Sequence, residues 1–159
     1  MEVQIKSPAE CTLNELEVFE KLVVEGGEVV AYGLRQRIRQ AEALIFICEA
    51  ECLAVGAIKN PNNGYKARVF DKAGVTEGSG EYTYELGWLY VAFSARGRGF
   101  GHELMRAVTK FLDNESCYAT TRVSNDSMHH LFSQYNFKRL GSTYQSDNGY
   151  SLVLYASKP

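Results

Sequence analysis

The stretch ELGWLYVAFSARGRGFGHELMRAVTKFL, residues 85–112, decides the fold. It divides into three parts. Glu85 to Phe93 is rich in aromatic and β-branched residues and predicts a strand. Ser94 to Gly101 is a basic turn punctuated by glycines. His102 to Leu112 predicts a helix, with Leu104, Val108, Phe111 and Leu112 on one face at spacings of three and four. A strand that feeds such a turn into a helix N-terminus makes an anion cradle. The first amides of the helix have no intrahelical partner, and the helix dipole places partial positive charge beside them. Gly97, Gly99 and Gly101 allow close approach of a ligand to the backbone, and Arg96 and Arg98 add permanent charges suited to phosphate oxygens.

The turn is not a Walker loop, because no Lys-Ser/Thr pair follows the last glycine. It is a poor Rossmann fingerprint too, since its third glycine comes too early for G-x-G-x-x-G. The spacing is [Q/R]-x-x-G-x-[G/A], with Arg96, Gly99 and Gly101 in the fixed places. On a strand-turn-helix, that pattern resembles the pyrophosphate loop of the GNAT superfamily of acyl-CoA-dependent N-acetyltransferases.

Composition agrees with an ordinary globular chain. At 159 residues, one domain over 1–159 is expected, long enough to bury a core. A net charge of −2 gives no overall drive toward nucleic acid or an anionic membrane, so neither is expected as a partner. No apolar run approaches the roughly 20 residues that span a bilayer. The N-terminus MEVQIKSPAE lacks the pattern of a signal peptide, and Cys11, Cys48, Cys52 and Cys117 read as reduced thiols, so a cytoplasmic location is expected.

Outward from the central stretch, Val3 to Lys6 predicts a short strand. Thr12 to Val24 predicts a helix with Thr12 and Glu15 in capping-box position. Glu28 to Glu42 predicts a second helix whose Arg35, Arg37 and Arg39 face solvent. Leu44 to Glu49 and Cys52 to Lys59 predict a hairpin. Asn60 to Gly80 is the least regular region, with a short helix at Lys66 to Ala73 and a glycine-rich stretch from Gly74 to Gly80. Tyr118 to Ser124 predicts a strand, Ser127 to Tyr135 a helix capped from Asn125-Asp126-Ser127, and Lys138 to Tyr144 and Tyr150 to Ala156 a final hairpin. Hairpins mixed with strand-helix-strand units predict a mixed α/β fold with helices flanking the sheet. The resemblance implies the same: a mixed, mostly antiparallel central sheet in the order β-α-α-β-β-β-α-β-α-β-β.

It also implies roles. Residues Arg96, Gly97, Arg98, Gly99, Phe100, Gly101 and His102 would hold the pyrophosphate of acetyl-CoA, a co-substrate, although His102 reads equally as a plain surface residue. Backbone groups of Leu89, Tyr90 and Val91 would pair with the pantetheine arm, and Asn125 matches a family asparagine near it. Asn136-Phe137 stands where the family usually has Gly-Phe or Gly-Tyr. Glu85 resembles a catalytic glutamate and would take the proton of the acceptor ammonium, directly or through water; otherwise it binds the acceptor cation, or is an edge residue without a role. Tyr65, Lys66 and Arg68 are candidates for acceptor contact.

One residue departs from the pattern. Phe132 occupies the place of a family tyrosine that acts as general acid for the leaving thiolate. No metal is expected, because His129-His130 point apart on a helix and Cys48-x-x-x-Cys52 fits no common zinc spacing. The expected function is direct transfer of an acetyl group to a primary amine, on a small molecule or a peptide, in a ternary complex. The alternatives are a catalytically silent acyl-CoA-binding sensor or scaffold, and a nucleotide-phosphate binder using the same loop. A homodimer through sheet edges is compatible with the sequence.

Overall fold

The structure is a computed structural model that describes residues 1–76 and 78–159. The glycine-rich stretch expected at Gly74 to Gly80 includes Glu77, which lies outside the described residues. Among those residues the strands are β1 (Glu2–Lys6), β2 (Ala43–Cys48), β3 (Cys52–Lys59), β4 (Tyr84–Val91), β5 (Cys117–Arg122), β6 (Lys138–Gln145) and β7 (Ser151–Ser157). The helices are α1 (Leu13–Glu25), α2 (Leu34–Arg39), α3 (Asn63–Lys72), α4 (Phe100–Leu112) and α5 (Asp126–Gln134). The strands form one mixed sheet in the order β1-β2-β3-β4-β5-β7-β6, mostly antiparallel. By contacts the chain divides into two compact units.

The first unit comprises Met1–Asn60 and Leu86–Phe111. β1, β2 and β3 form an antiparallel meander, with Gln4 opposite Phe46 and Phe46 opposite Val55. The capping box of α1 is present: Thr12 Oγ1 accepts from the Glu15 amide, and Glu15 accepts from the Thr12 amide. The apolar stripe of α1, Leu16, Phe19, Leu22 and Val23, closes on Leu44, Phe46, Val55 and Ala57, with Phe19 meeting Phe46 edge to face at 5.5 Å. The second helix is shorter than the sequence predicts. It begins only at Leu34, because Gly33 takes the left-handed conformation (φ 70°) and ends any helical run from Glu28.

β4 contains a feature the sequence does not announce. Trp88 has φ 52°, a left-handed conformation inside a strand. Trp88 and Tyr90 both face α1: Trp88 meets Phe19 at 6.2 Å, and Tyr90 Oη donates to Glu25. Between them Leu89 points to the opposite face, beside Gly56, close enough that a Cβ there would sit 2.7 Å from Leu89 Cδ2.

The second unit comprises Pro61–Glu85 and Leu112–Pro159. β7 lies between β5 and β6, antiparallel to both. Side-chain alternation sends Tyr118 to one face and Tyr155, opposite Ala119, to the other. The first face is covered by α3, whose Phe70 meets Tyr118 and Tyr82, each at 5.3 Å. The second is covered by α5, whose Phe132 meets Tyr155 at 4.8 Å and Phe137 at 5.3 Å. After α5, Asn136 adopts φ 64° and lets the Phe137 amide reach the Phe132 carbonyl. α3 starts at Asn63, earlier than the sequence predicts, because Asn62 Oδ1 accepts from the amides of Gly64 and Tyr65.

Candidate functional site

The basic turn is open. After β4, residues Phe93–Ala95 form a 3-10 turn, and α4 then begins at Phe100. Gly97 and Gly99 take φ of 77° and 84°, conformations that side-chain-bearing residues adopt at a cost, and nothing lies within 4 Å of a Cβ built on either. The amides of residues 97–101 donate to no described residue. The Glu103 amide returns to the Gly99 carbonyl, so the helix dipole starts at this turn.

The seven candidates here divide by side chain. Arg96 folds back: its Nε donates to the Val91 carbonyl, and its guanidinium lies over the rings of Tyr90 and Phe93 at 5.9 and 5.4 Å. Arg98 is held by Glu49 on the β2–β3 turn, at 2.8 and 2.9 Å from the two carboxylate oxygens. The sequence shows no sign of this partner. Phe100 is buried, so only its amide can meet a ligand. Gly101 lies in the first turn of α4, and His102 is half-buried there with a contact of its own. Leu89, Tyr90 and Val91 end β4. Asn125 caps α5, its Oδ1 accepting from the Met128 amide at 3.2 Å.

Glu85 sits in the second unit and is 5 % exposed. Its burial comes from tyrosines of other elements. Tyr65 Oη of α3 donates to Glu85 Oε2 at 3.2 Å. Burial, followed by the Glu85 charge, pushes the Tyr65, Tyr118 and Tyr144 phenols up, Tyr144 to about 12, so all three stay protonated donors at neutral pH. Tyr118 Oη is buried with no hydrogen-bond partner among the described residues. Beside this cluster is a cavity of about 110 Å³, lined by Tyr65, Arg68, Thr120, Tyr144 and Leu152 among others. Of the three residues expected to meet the acceptor, Tyr65 and Arg68 line it. Lys66 does not: it is buried, and its Nζ donates to the Tyr82 carbonyl at 2.7 Å. Sequence reasoning missed Tyr118 and Tyr144, which read only as strand formers. The register of β5 and β6 that carries them toward Glu85 is set by tertiary pairing.

Phe132 is 1 % exposed and packed by Phe137 and Tyr155. Among the described residues no group of three or more His, Cys, Asp and Glu side chains could hold a metal ion, and no helix is long and apolar enough to cross a membrane.

A strand, an open glycine turn and a helix start flanked by arginines, set in a mixed sheet of this strand order, define the acyltransferase class of α/β protein. A model of the acetyltransferase (GNAT) family matches residues 12–137, and the chain belongs to that family of acyl-transferring enzymes, which draw on acetyl-CoA or acyl-CoA. No curated protein matches the sequence. Solved structures share the fold at low identity. Escherichia coli ElaA superposes with a TM-score of 0.75 at 13% identity, covering 99% of this chain and 100% of its own. An acyl-CoA N-acyltransferase from Pseudomonas aeruginosa gives 0.69 at 16%, covering 98% of each chain. The ribosomal-protein-S18-alanine N-acetyltransferase from Escherichia coli gives 0.68 at 11%, covering 99% of this chain and 94% of its own.

Proposed function

We propose that the chain is one N-acetyltransferase domain that moves the acetyl group of acetyl-CoA to a primary amine in a ternary complex. The observation that carries this reading is the open turn at residues 97–101, with amides given to no described residue, in a chain of this family. The amides of Gly97 to Gly101 fit the diphosphate, with Arg96 and Arg98 beside it. Arg98 exchanges Glu49 for phosphate oxygens, both being anionic acceptors for the same guanidinium. The backbone of Leu89 to Val91 pairs with the pantetheine amides, and an amide near Val91 supports the thioester oxygen as charge develops there. The thioester supplies the activated acyl carbon.

Glu85, on the same strand, takes one proton from the acceptor ammonium. The amine nitrogen then forms the bond to the acyl carbon as the carbon–sulfur bond breaks. Its second proton is lost and the thiolate is protonated, so amide, thiol and one proton result. The Tyr65 hydroxyl orients the Glu85 carboxylate. Location in the cytoplasm fits this chemistry, since that compartment holds the thioester.

The test is calorimetric titration with acetyl-CoA, using Gly99→Glu as control, together with thiol release on a broad amine panel. Binding lost in the variant, with turnover on at least one amine, is the expected result. Failure of the unmutated protein to bind at millimolar ligand removes the reading. The buried Phe132, which has no proton to give, favours a second one: a silent acyl-CoA-binding module. Binding without thiol release on any amine selects that module.

A further inference from the structure

The cavity of the second unit carries a charge pattern that acetyl transfer alone does not require. Its α3 wall consists of Tyr65, Arg68, Val69 and Lys72, at i, i+3, i+4 and i+7 on one helical face. Lys72 is neutralised by Asp147 at 2.6 Å, and that contact holds the aspartate below the usual carboxylate range. Arg68 has no such partner. Among the described residues it makes no hydrogen bond or ion pair, and its charge reaches Asp147 and Tyr65 only at longer range. A guanidinium cannot lose its proton at physiological pH, so Arg68, exposed at the cavity wall, keeps its charge there without a hydrogen-bonded anion. Tyr65 also lines the cavity and donates to the buried Glu85.

We propose that the acceptor is an amine that also carries an anionic group, with Arg68 holding the anion while Tyr65 and Glu85 receive the amine. The inference rests on the reading of Glu85 as the acceptor-side base. The chemistry follows from charge. A polyamine would turn its second ammonium toward Arg68, where like charges repel, whereas a carboxylate or phosphate accepts the guanidinium's paired N–H groups. Val69 and Leu152 offer the connecting carbons an apolar wall. The cavity, about 110 Å³, takes the part of the acceptor that lies beside Arg68. Amino acids and aminoalkyl phosphates both carry the required anion. Arg68 is then a specificity-determining residue: it tells an amino acid from its decarboxylated amine.

The experiment is calorimetric titration in the presence of coenzyme A, with the unmutated protein and with Arg68→Gln and Arg68→Lys. The probes are matched pairs: amino acids against the amines formed by their decarboxylation, and O-phosphoethanolamine against ethanolamine. Roughly tenfold tighter binding of the anionic member is expected in at least one pair, the size of one charge-assisted hydrogen bond. The carboxylate and phosphate arms show which anion is used. Arg68→Gln should erase the preference while leaving the uncharged-skeleton amine within about twofold, and Arg68→Lys should restore part of it. No separation in any pair, equal weakening of both members in Arg68→Gln, or no binding by any probe overturns the proposal. Thiol release on the same pairs separates the two readings. Preference without release leaves Arg68's role standing and removes acetyl transfer, whereas release without preference does the reverse.

Discussion

At the scale of single residues, the site turns on a carboxylate removed from water. Glu85 lies among phenols carried by α3, β5 and β6, and Tyr65 Oη donates to its carboxylate. A buried carboxylate attracts an incoming ammonium, and can then take its proton. Glu85→Gln keeps shape and hydrogen bonding but removes the base. It is expected to lower kcat by about 10²-fold or more, the usual contribution of a positioned general base, with acetyl-CoA affinity unchanged. A variant that keeps the rate would show that Glu85 binds without moving a proton. The position of Glu85 on its strand was legible in the sequence, and so was its candidacy. Its surroundings were not: Leu86, Trp88 and Tyr84 are its sequence neighbours, but the groups that act on it come from α3, β5 and β6.

At the scale of elements, local rules carried far where the deciding groups lie within a few residues of each other. Thr12 and Glu15 start α1, Asn125 starts α5, and Asn136 ends it left-handed, each by a contact spanning three to five positions. Gly33 shows the limit, because the apolar spacing from Val30 to Ala41 continues through a residue whose backbone leaves the helix. Trp88 shows it more sharply. No propensity assigns φ 52° to a tryptophan; packing on Phe19 accompanies that conformation. The placement of α3 is another tertiary matter. β6 changes register between Leu140 and Tyr144, and within that irregularity the Ser142 amide donates to the Ala73 carbonyl at 2.8 Å. Gly141 has φ 66°, and a Cβ on it would come 2.1 Å from that same carbonyl oxygen. Backbone cannot yield as a side-chain tip can. Gly141→Ala is therefore expected to destabilise the protein by about 3 kcal/mol, combining an unfavourable left-handed residue with a steric clash. Chemical denaturation reads the loss. Cleavage by protease near Ala73 at sub-denaturing conditions would show that α3, and with it the cavity wall, loosens first. A change below about 0.5 kcal/mol would mean that β6 and α3 do not depend on this approach.

At the scale of the whole molecule, fold class and family were readable because the turn, the hairpins and the helix periods are local signals. The buried phenol cluster was not, and it sets how stability responds to alkali. Tyrosine ionises near pH ~10 in an unfolded chain. In the folded protein, burial and the Glu85 charge raise Tyr65, Tyr118 and Tyr144, the last to about 12. For acids whose folded value is raised, both states are protonated below about pH 10 and stability is flat. Above that, the unfolded chain loses protons that the folded chain retains, so unfolding becomes easier as pH climbs. For Tyr144 the loss runs up to about 12, where the folded phenol ionises in turn. The urea midpoint should thus hold between pH 8 and about 9.5 and fall steeply beyond about 10. Tyr118→Phe isolates one member. Its hydroxyl has no hydrogen-bond partner among the described residues, so the change removes an unsatisfied buried group and costs no bond. At neutral pH the variant should be more stable by about 1 kcal/mol, and its alkaline decline should be shallower because one titrating phenol is gone. A variant that declines as steeply as the parent, or is weaker at pH 7, would mean that Tyr118 is neither strained by its burial nor linked to the alkaline transition.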